Sequence, residues 1–158
     1  MSSEAPSVRL ATDADRYSLA MLFASIAEER DGIAAEPPVD VEKRAAGWEL
    51  DRTFVAVVGG EVVGELHIEL TAFGFGELGM MVAAGWRGRG VGTALLVAAI
   101  AWARRHGLHK LSLGVFPSNE AALALYRKFG FVEEGRRDKH IRRANGELWD
   151  LIEMGLLL

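Results

Sequence analysis

Between Arg87 and Gly92 the chain reads Arg-Gly-Arg-Gly-Val-Gly, two arginines and three glycines in six residues. An extended apolar run ending Met80-Met81-Val82 precedes it, and an apolar helical segment follows from about Gly90. Strand, glycine turn and helix N-terminus together suit an anion. The N–H groups of such a turn point outward, the helix dipole adds partial positive charge, and glycine lets backbone approach the ligand closely. The guanidinium groups of Arg87 and Arg89 add fork-shaped donors. The chemistry this predicts is the binding of phosphate, as in the pyrophosphate of a cofactor. Two other phosphate motifs are excluded. There is no G-x-x-x-x-G-K-[ST], so this is not a P-loop. Thr93 stands where a dinucleotide fingerprint needs its third glycine, and no acidic residue follows about 20 positions on.

Such a turn needs elements to position it. Val8–Leu10 reads as a first strand. Thr12 and Asp15 resemble a capping box, and Leu19, Leu22, Phe23 and Ile26 recur at helical spacing, which predicts a helix from about Asp13 to Glu29. Asp31-Gly32 ends it, Glu36-Pro37-Pro38 marks a loop, and Asp40 can cap a shorter helix with Val41, Ala45 and Trp48 on one face. Thr53–Val58 and Glu61–Leu70 are strand-like around Gly59-Gly60, a tight-hairpin signal. Val62, Leu66, Ile68 and Leu70 alternate with Glu61, Glu65, His67 and Glu69, which predicts a sheet with one wetter face.

A fourth strand is expected over Glu77–Val82, then a helix from Gly90 to His106 that is apolar nearly all round and therefore buried. Lys110–Phe116 reads as a fifth strand. Pro117-Ser118-Asn119 opens a last helix with Ala122, Leu125, Tyr126 and Phe129 on one face. Two final strands, Phe131–Arg142 and Glu147–Leu157, flank the turn Ala144-Asn145-Gly146. The order βααβββαβαββ describes one mixed α/β domain over residues 1–158, with antiparallel hairpins at both ends.

Composition bounds the function. Half of the 158 residues are apolar and a quarter charged, an ordinary globular balance. A net charge of -4 argues against a general nucleic-acid binder. Without cysteine there is neither a disulfide frame nor thiolate chemistry, which is compatible with a cytoplasmic location. The start MSSEAPSV lacks a basic region followed by an apolar core, so no signal peptide is expected. The longest apolar run, Ala94–Ala103, is about half of what a membrane span needs, so a soluble protein is expected.

R-G-R-G-V-G after M-M-V, followed about 25 residues later by P-S-N-E-A-A-L-A-L-Y-R-K-F-G-F, resembles the GNAT superfamily of N-acetyltransferases, and the likeness runs from R-L-A-T-D-A-D to the final hairpin. The resemblance implies a mixed, mostly antiparallel central sheet flanked by four helices, with the fourth and fifth strands splayed to admit the pantetheine arm of acetyl-CoA. It implies direct transfer of acetyl to a primary amine (a small amine, an amino-acid derivative or a protein N-terminus), with no metal. Carried over by position, Arg87, Gly88, Arg89, Gly90, Val91, Gly92 and Thr93 would bind the pyrophosphate, chiefly through main-chain N–H groups. Backbone at Met81 and Val82 would pair with the pantetheine, Asn119 would hydrogen-bond the cofactor arm, and Tyr126 would lie near the sulfur. The alternative is a non-catalytic acyl-CoA-binding sensor on the same fold. A homodimer is a further expectation, with the apolar run Met154–Leu158 placed in the sheet or in a dimer interface.

Tyr126 suits that position chemically. Attack of a neutral amine on a thioester expels a thiolate, and a phenol with a pKa near 10 can donate a proton to it. The base that frees the amine is less obvious. Some members of the superfamily carry a glutamate on the fifth strand, five residues before the asparagine, where this chain has Gly114. Glu77 is the expected replacement, directly or through water. His67 is a secondary candidate, and His106, His109 and His140 have no site context. In the last hairpin Arg136, Arg137, Lys139, Arg142 and Arg143 face Glu147, Asp150 and Glu153, which predicts cross-strand ion pairs on a solvated surface; the alternative is that some arginines orient an acidic acceptor.

Overall fold

Gly59 and Gly60 take φ values of 55° and 80°, the left-handed pair that a two-residue hairpin turn requires. They fold β2 (Thr53–Val58) back on β3 (Glu61–Leu70). A computed structural model of the chain describes residues 4–158; the N-terminal signal reading starts at Met1, outside the described residues. Around this hairpin lie β1 (Ser7–Leu10) and β4 (Phe75–Val82). The second half adds β5 (Lys110–Val115), β6 (Val132–Arg142) and β7 (Leu148–Leu157). The helices are α1 (Arg16–Ala27), α2 (Val41–Ala46), α3 (Val91–Arg105) and α4 (Glu120–Lys128).

One seven-stranded sheet runs in the order β1-β2-β3-β4-β5-β7-β6. Every pairing is antiparallel except β4 with β5. That parallel pair is short: Phe75–Glu77 meets Lys110–Ser112, and beyond it the two strands part. The expected splay is therefore present. β7 lies between β5 and β6, which puts the closing apolar run in the sheet with Met154 fully buried.

Both faces of the sheet are covered. On one, Leu95, Leu96, Ala99 and Trp102 of α3 pack with Leu66, Ile68 and Leu111. On the other, Leu19, Leu22 and Ile26 of α1 pack with Trp48, Val55 and Met81. Full burial of such side chains contributes about 1.5–3 kcal/mol each. This second layer corrects the expectation of a wetter face on β3, because Glu65 lies beneath it at 1% exposure. α3 also departs from its reading: Val97 is 57% exposed, so the helix buries one face rather than its whole girth.

α1 begins later than its pattern suggests, after a single tight turn at Asp13–Asp15. Asp15 accepts the Thr12 N–H at 2.7 Å and a two-pronged pair from Arg9 at 2.7 and 3.0 Å. The Arg9 hydrogen bond holds the Asp15 carboxyl below the usual range, against its burial. This tie is present at neutral pH and is lost as pH falls through the lowered value. From the same helix Arg16 donates to the carbonyls of Ala45, Ala46 and Trp48, closing the C-terminal end of α2. Asp40 caps the other end through the Lys43 N–H, as expected. Trp48 is buried but lies past the last turn of α2 rather than on it. Among the described residues no helix is long and apolar enough to cross a membrane.

Candidate active site

Gly88 and Gly90 hold φ values of 72° and 85°, a conformation that a side chain would strain. Gly90 is the N-cap of α3 and provides no side-chain cap, and the Ala94 N–H makes the bond to its carbonyl. The N–H groups of Val91, Gly92 and Thr93 thus precede the first helical donor and remain for a ligand. The two arginines of the turn differ in availability. Arg87 grips Glu29, just past α1, at 2.5 and 2.8 Å and donates Nε–H to the Val82 carbonyl. Its side chain therefore tethers the turn instead of serving as the expected free fork. Arg89 lies 4.5 Å over the Trp86 ring, with one long contact to Gly85, and among the described residues its guanidinium makes no ion pair.

From this turn a cleft of about 1020 Å³ runs between the parted strands. The Ala83 N–H bonds the Val63 carbonyl at 2.9 Å, and Glu65 pairs with Met81 in the same ladder. Antiparallel alternation then turns the main chain of Gly79 and Met81 toward β3 and that of Met80 and Val82 toward the open edge. The donors that face the cleft are thus one residue removed from the expected Met81. Met81 contributes a buried side chain, and Met80, which the sequence reading passed over, contributes the backbone.

Asn119 caps α4, accepting the Ala122 N–H on its side-chain oxygen at 3.2 Å, and its NH2 has no partner among the described residues. Two turns on, Tyr126 is buried against Phe131, with ring centroids 5.6 Å apart. Burial, and then the charge of Glu65, push its pKa up to about 12, so the phenol stays protonated. Both residues line the cleft.

The opposite wall holds a pair that the sequence reading undervalued. His67 Nδ1 lies 2.6 Å from Glu65 Oε1. An ionised carboxylate only accepts, so Nδ1 carries the hydrogen and Nε2 is left with its lone pair. Gly79 stands opposite His67 on β4, and a Cβ there would come within 2.5 Å of the ring, so glycine makes room for the imidazole. Burial raises the Glu65 pKa, with His67 only partly pulling it back. Burial lowers that of His67, but the hydrogen bond and charge of Glu65, helped by Glu69, outweigh it and the net shift is upward. A Glu-x-His spacing is visible in the sequence. The glycine across the ladder is visible only in the register.

Glu77 is not brought to this cleft. It pairs with Glu69 and Ser112, where β4 and β5 are still joined, and its side chain is exposed. Gly114 does line the cleft, but a Cβ on it would lie 2.9 Å from Leu151 of β7. The place of a fifth-strand carboxylate is therefore filled by leucine.

The final hairpin carries the expected surface pairs, Arg136–Asp150 at 2.7 Å and Arg137–Glu153 at 2.6 Å. Arg143 is different: it is buried, donates to the carbonyls of Arg30 and Ala34 at 3.0 and 2.9 Å, and stacks over Trp149. It ties the hairpin to the loop whose residues Asp31–Ala35 form one wall of the cleft.

Residues 19–131 match the model of the Acetyltransferase (GNAT) family. The L-amino acid N-acetyltransferase AaaT of Escherichia coli K12 is 33% identical over 111 residues, 65% of this chain and just under two thirds (66%) of its own length. The aminoglycoside N(6')-acetyltransferase type 1 of Stenotrophomonas maltophilia is 31% identical over 86% of this chain and 92% of its own. The crystal structure of a ribosomal-protein-alanine N-acetyltransferase from Brucella melitensis superposes with a TM-score of 0.87 at 32% identity, covering 96% of this chain and 99% of that one. Acetyl-CoA is the acyl donor of this family and is bound in solved structures of the fold. The match over most of the chain, the splayed strands and the glycine turn together show that it belongs to the GNAT acetyltransferase family.

Proposed function

We propose that the chain is an acetyl-CoA-dependent N-acetyltransferase that moves acetyl directly to a primary amine. The observation that carries this reading is the meeting, in one cleft, of an unpaired β4 edge, an uncapped glycine turn, a protonated phenol and a carboxylate–imidazole pair. The turn and the first N–H groups of α3 receive the pyrophosphate, with Arg89 beside them. The open edge at Met80 and Val82 pairs with the pantetheine as an added strand, and the free amide NH2 of Asn119 donates to it. Support also comes from the relatives, named as N-acetyltransferases of three different acceptors.

The chemistry then follows from proton positions. The ammonium of the acceptor gives a proton to His67 Nε2, while Glu65 fixes the tautomer and stabilises the imidazolium. The freed nitrogen attacks the thioester carbonyl, so that an N–C bond forms and the C–S bond breaks. The departing thiolate takes its proton from Tyr126, which recovers one from the new amide nitrogen. In this scheme Glu65 and His67 replace Glu77 as the base, because they line the cleft and Glu77 does not.

The test is an acetyl-CoA titration of Tm followed by thiol release over a panel of amines. Tm should rise with acetyl-CoA, and free thiol should appear with an amine. No thermal shift, or a shift without thiol release for any amine, overturns the reading.

Arg143 supplies a further expectation. Arg143→Met leaves the carbonyls of Arg30 and Ala34 without their donor, which costs about 1–3 kcal/mol of stability. Because the loop it holds forms one wall of the cleft and does not form the glycine turn, KM for the acceptor should rise while KM for acetyl-CoA stays put. Equal rises in both would show that the loop does not shape an acceptor pocket.

A further inference from the structure

In the proposed scheme one cation lining the cleft has no part in holding the cofactor. Arg44 of α2 places its guanidinium 4.0 Å from the ring centroid of Phe23 and 4.4 Å from that of Trp48, two rings that meet edge to face. Among the described residues its side chain makes no ion pair or hydrogen bond, whereas Arg87, the other arginine lining the cleft, is bound to Glu29. Aromatic faces hold a guanidinium in a fixed plane, and its N–H fork matches a carboxylate in two-pronged geometry. Arg44 is exposed, and a planar cation kept in place over two rings but left unpaired along a cleft wall is a socket for an anionic group.

The surroundings narrow what that group belongs to. Arg44 shares the cleft with Glu65 and His67, near enough that its charge acts on both. A positive site for a carboxylate thus lies beside the negative pair that receives an ammonium. Phe23, Ile26, Ile33 and Trp48 give the same cleft an apolar lining. A free α-amino acid with an apolar side chain carries these three features on one carbon: ammonium, carboxylate and an apolar group. A peptide N-terminus has an amide carbonyl where the carboxylate would be and offers Arg44 no charge.

We propose that the acceptor is a free α-amino acid with an apolar side chain, held by its carboxylate on Arg44 with its amine directed to the Glu65–His67 pair. This rests on the reading of the cleft as an amine acetyltransferase site.

The experiment compares leucine, methionine and phenylalanine with their amides in thiol release, using wild type and Arg44→Met. Methionine at this position keeps the aromatic packing and removes the charge, and an acetyl-CoA-dependent rise in Tm checks that the variant folds. An amino-acid amide has the more acidic ammonium and so more free amine at neutral pH. Chemistry alone therefore favours the amide, and any preference for the acid must come from its carboxylate. Wild type should favour at least one acid over its amide in kcat/KM, and Arg44→Met should lose roughly 10- to 100-fold of that ratio, chiefly through KM. Amides used as well as the acids by wild type, or a preference that survives in Arg44→Met, overturns the proposal and leaves the acetyltransferase reading standing. Tm rising with acetyl-CoA while none of the six is acetylated also overturns it. Absence of acetyl-CoA binding sinks the underlying reading instead.

Discussion

Replacing Tyr126 by phenylalanine should lower kcat by roughly 10²–10⁴-fold, the range typical of losing a positioned general acid. The change removes one oxygen and keeps the ring that packs on Phe131 in the core. Stability should therefore change little, and acetyl-CoA should bind as before. The effect belongs to kcat because the phenol proton matters only when the C–S bond breaks. With a pKa pushed up to about 12, the wild-type phenol is protonated throughout the physiological range, so no basic limb near pH 10 should appear in its rate profile. Single-turnover measurements isolate the chemical step. An unchanged single-turnover rate in Tyr126→Phe would remove the acid assignment.

His67→Ala should cost a comparable roughly 10²–10⁴-fold in kcat/KM if the imidazole accepts the ammonium proton. The more discriminating measurement is the pH profile. His67 must be unprotonated to act, and Glu65 raises its pKa above the ordinary 6.5, so kcat/KM should climb with pH through an apparent value above 6.5. Glu65→Gln removes the carboxylate that raises it and should move this limb to lower pH, while costing rate because the imidazolium loses its stabilising charge. Coincident profiles for wild type and Glu65→Gln would take the pair out of the mechanism.

Stability should respond to the same pair with a defined sign. Both groups bind protons more tightly in the folded chain than in the unfolded one. Their stabilising contribution is complete below the unfolded values of 4.5 and 6.5 and declines as pH rises through the folded ones. On the proposed mechanism, the pH that frees His67 to accept a proton is therefore the pH at which the pair stabilises the fold least.

Local patterns were legible wherever a residue's role is decided by its chain neighbours. The Gly59-Gly60 turn, the Asp40 cap, the glycine turn before α3 and the Asn119 start of α4 all depend on backbone conformation and hydrogen bonds a few residues apart. The R-G-R-G-V-G and L-Y-R-K-F-G-F segments were enough to suggest the family, its fold and its donor, since those motifs make the turn and the helix face directly.

The sequence by itself thus determined the order of elements, the glycine turn before α3 and the place of Tyr126 on α4. What only the tertiary structure decided is which charges share a space. Glu65 alternates with apolar residues and looks solvated, and it becomes buried only because α1 and Trp48 close over that face. Glu77 looks well placed until strand register leaves it where β4 and β5 are still joined. Arg87 looks free until Glu29, 58 residues earlier, takes its guanidinium, and Arg44 gains meaning only against Phe23 and Trp48. Hydrogen bonding along the backbone acts over a few residues and is written in order along the chain. Burial and charge act through space, between segments whose separation along the chain says nothing about their distance.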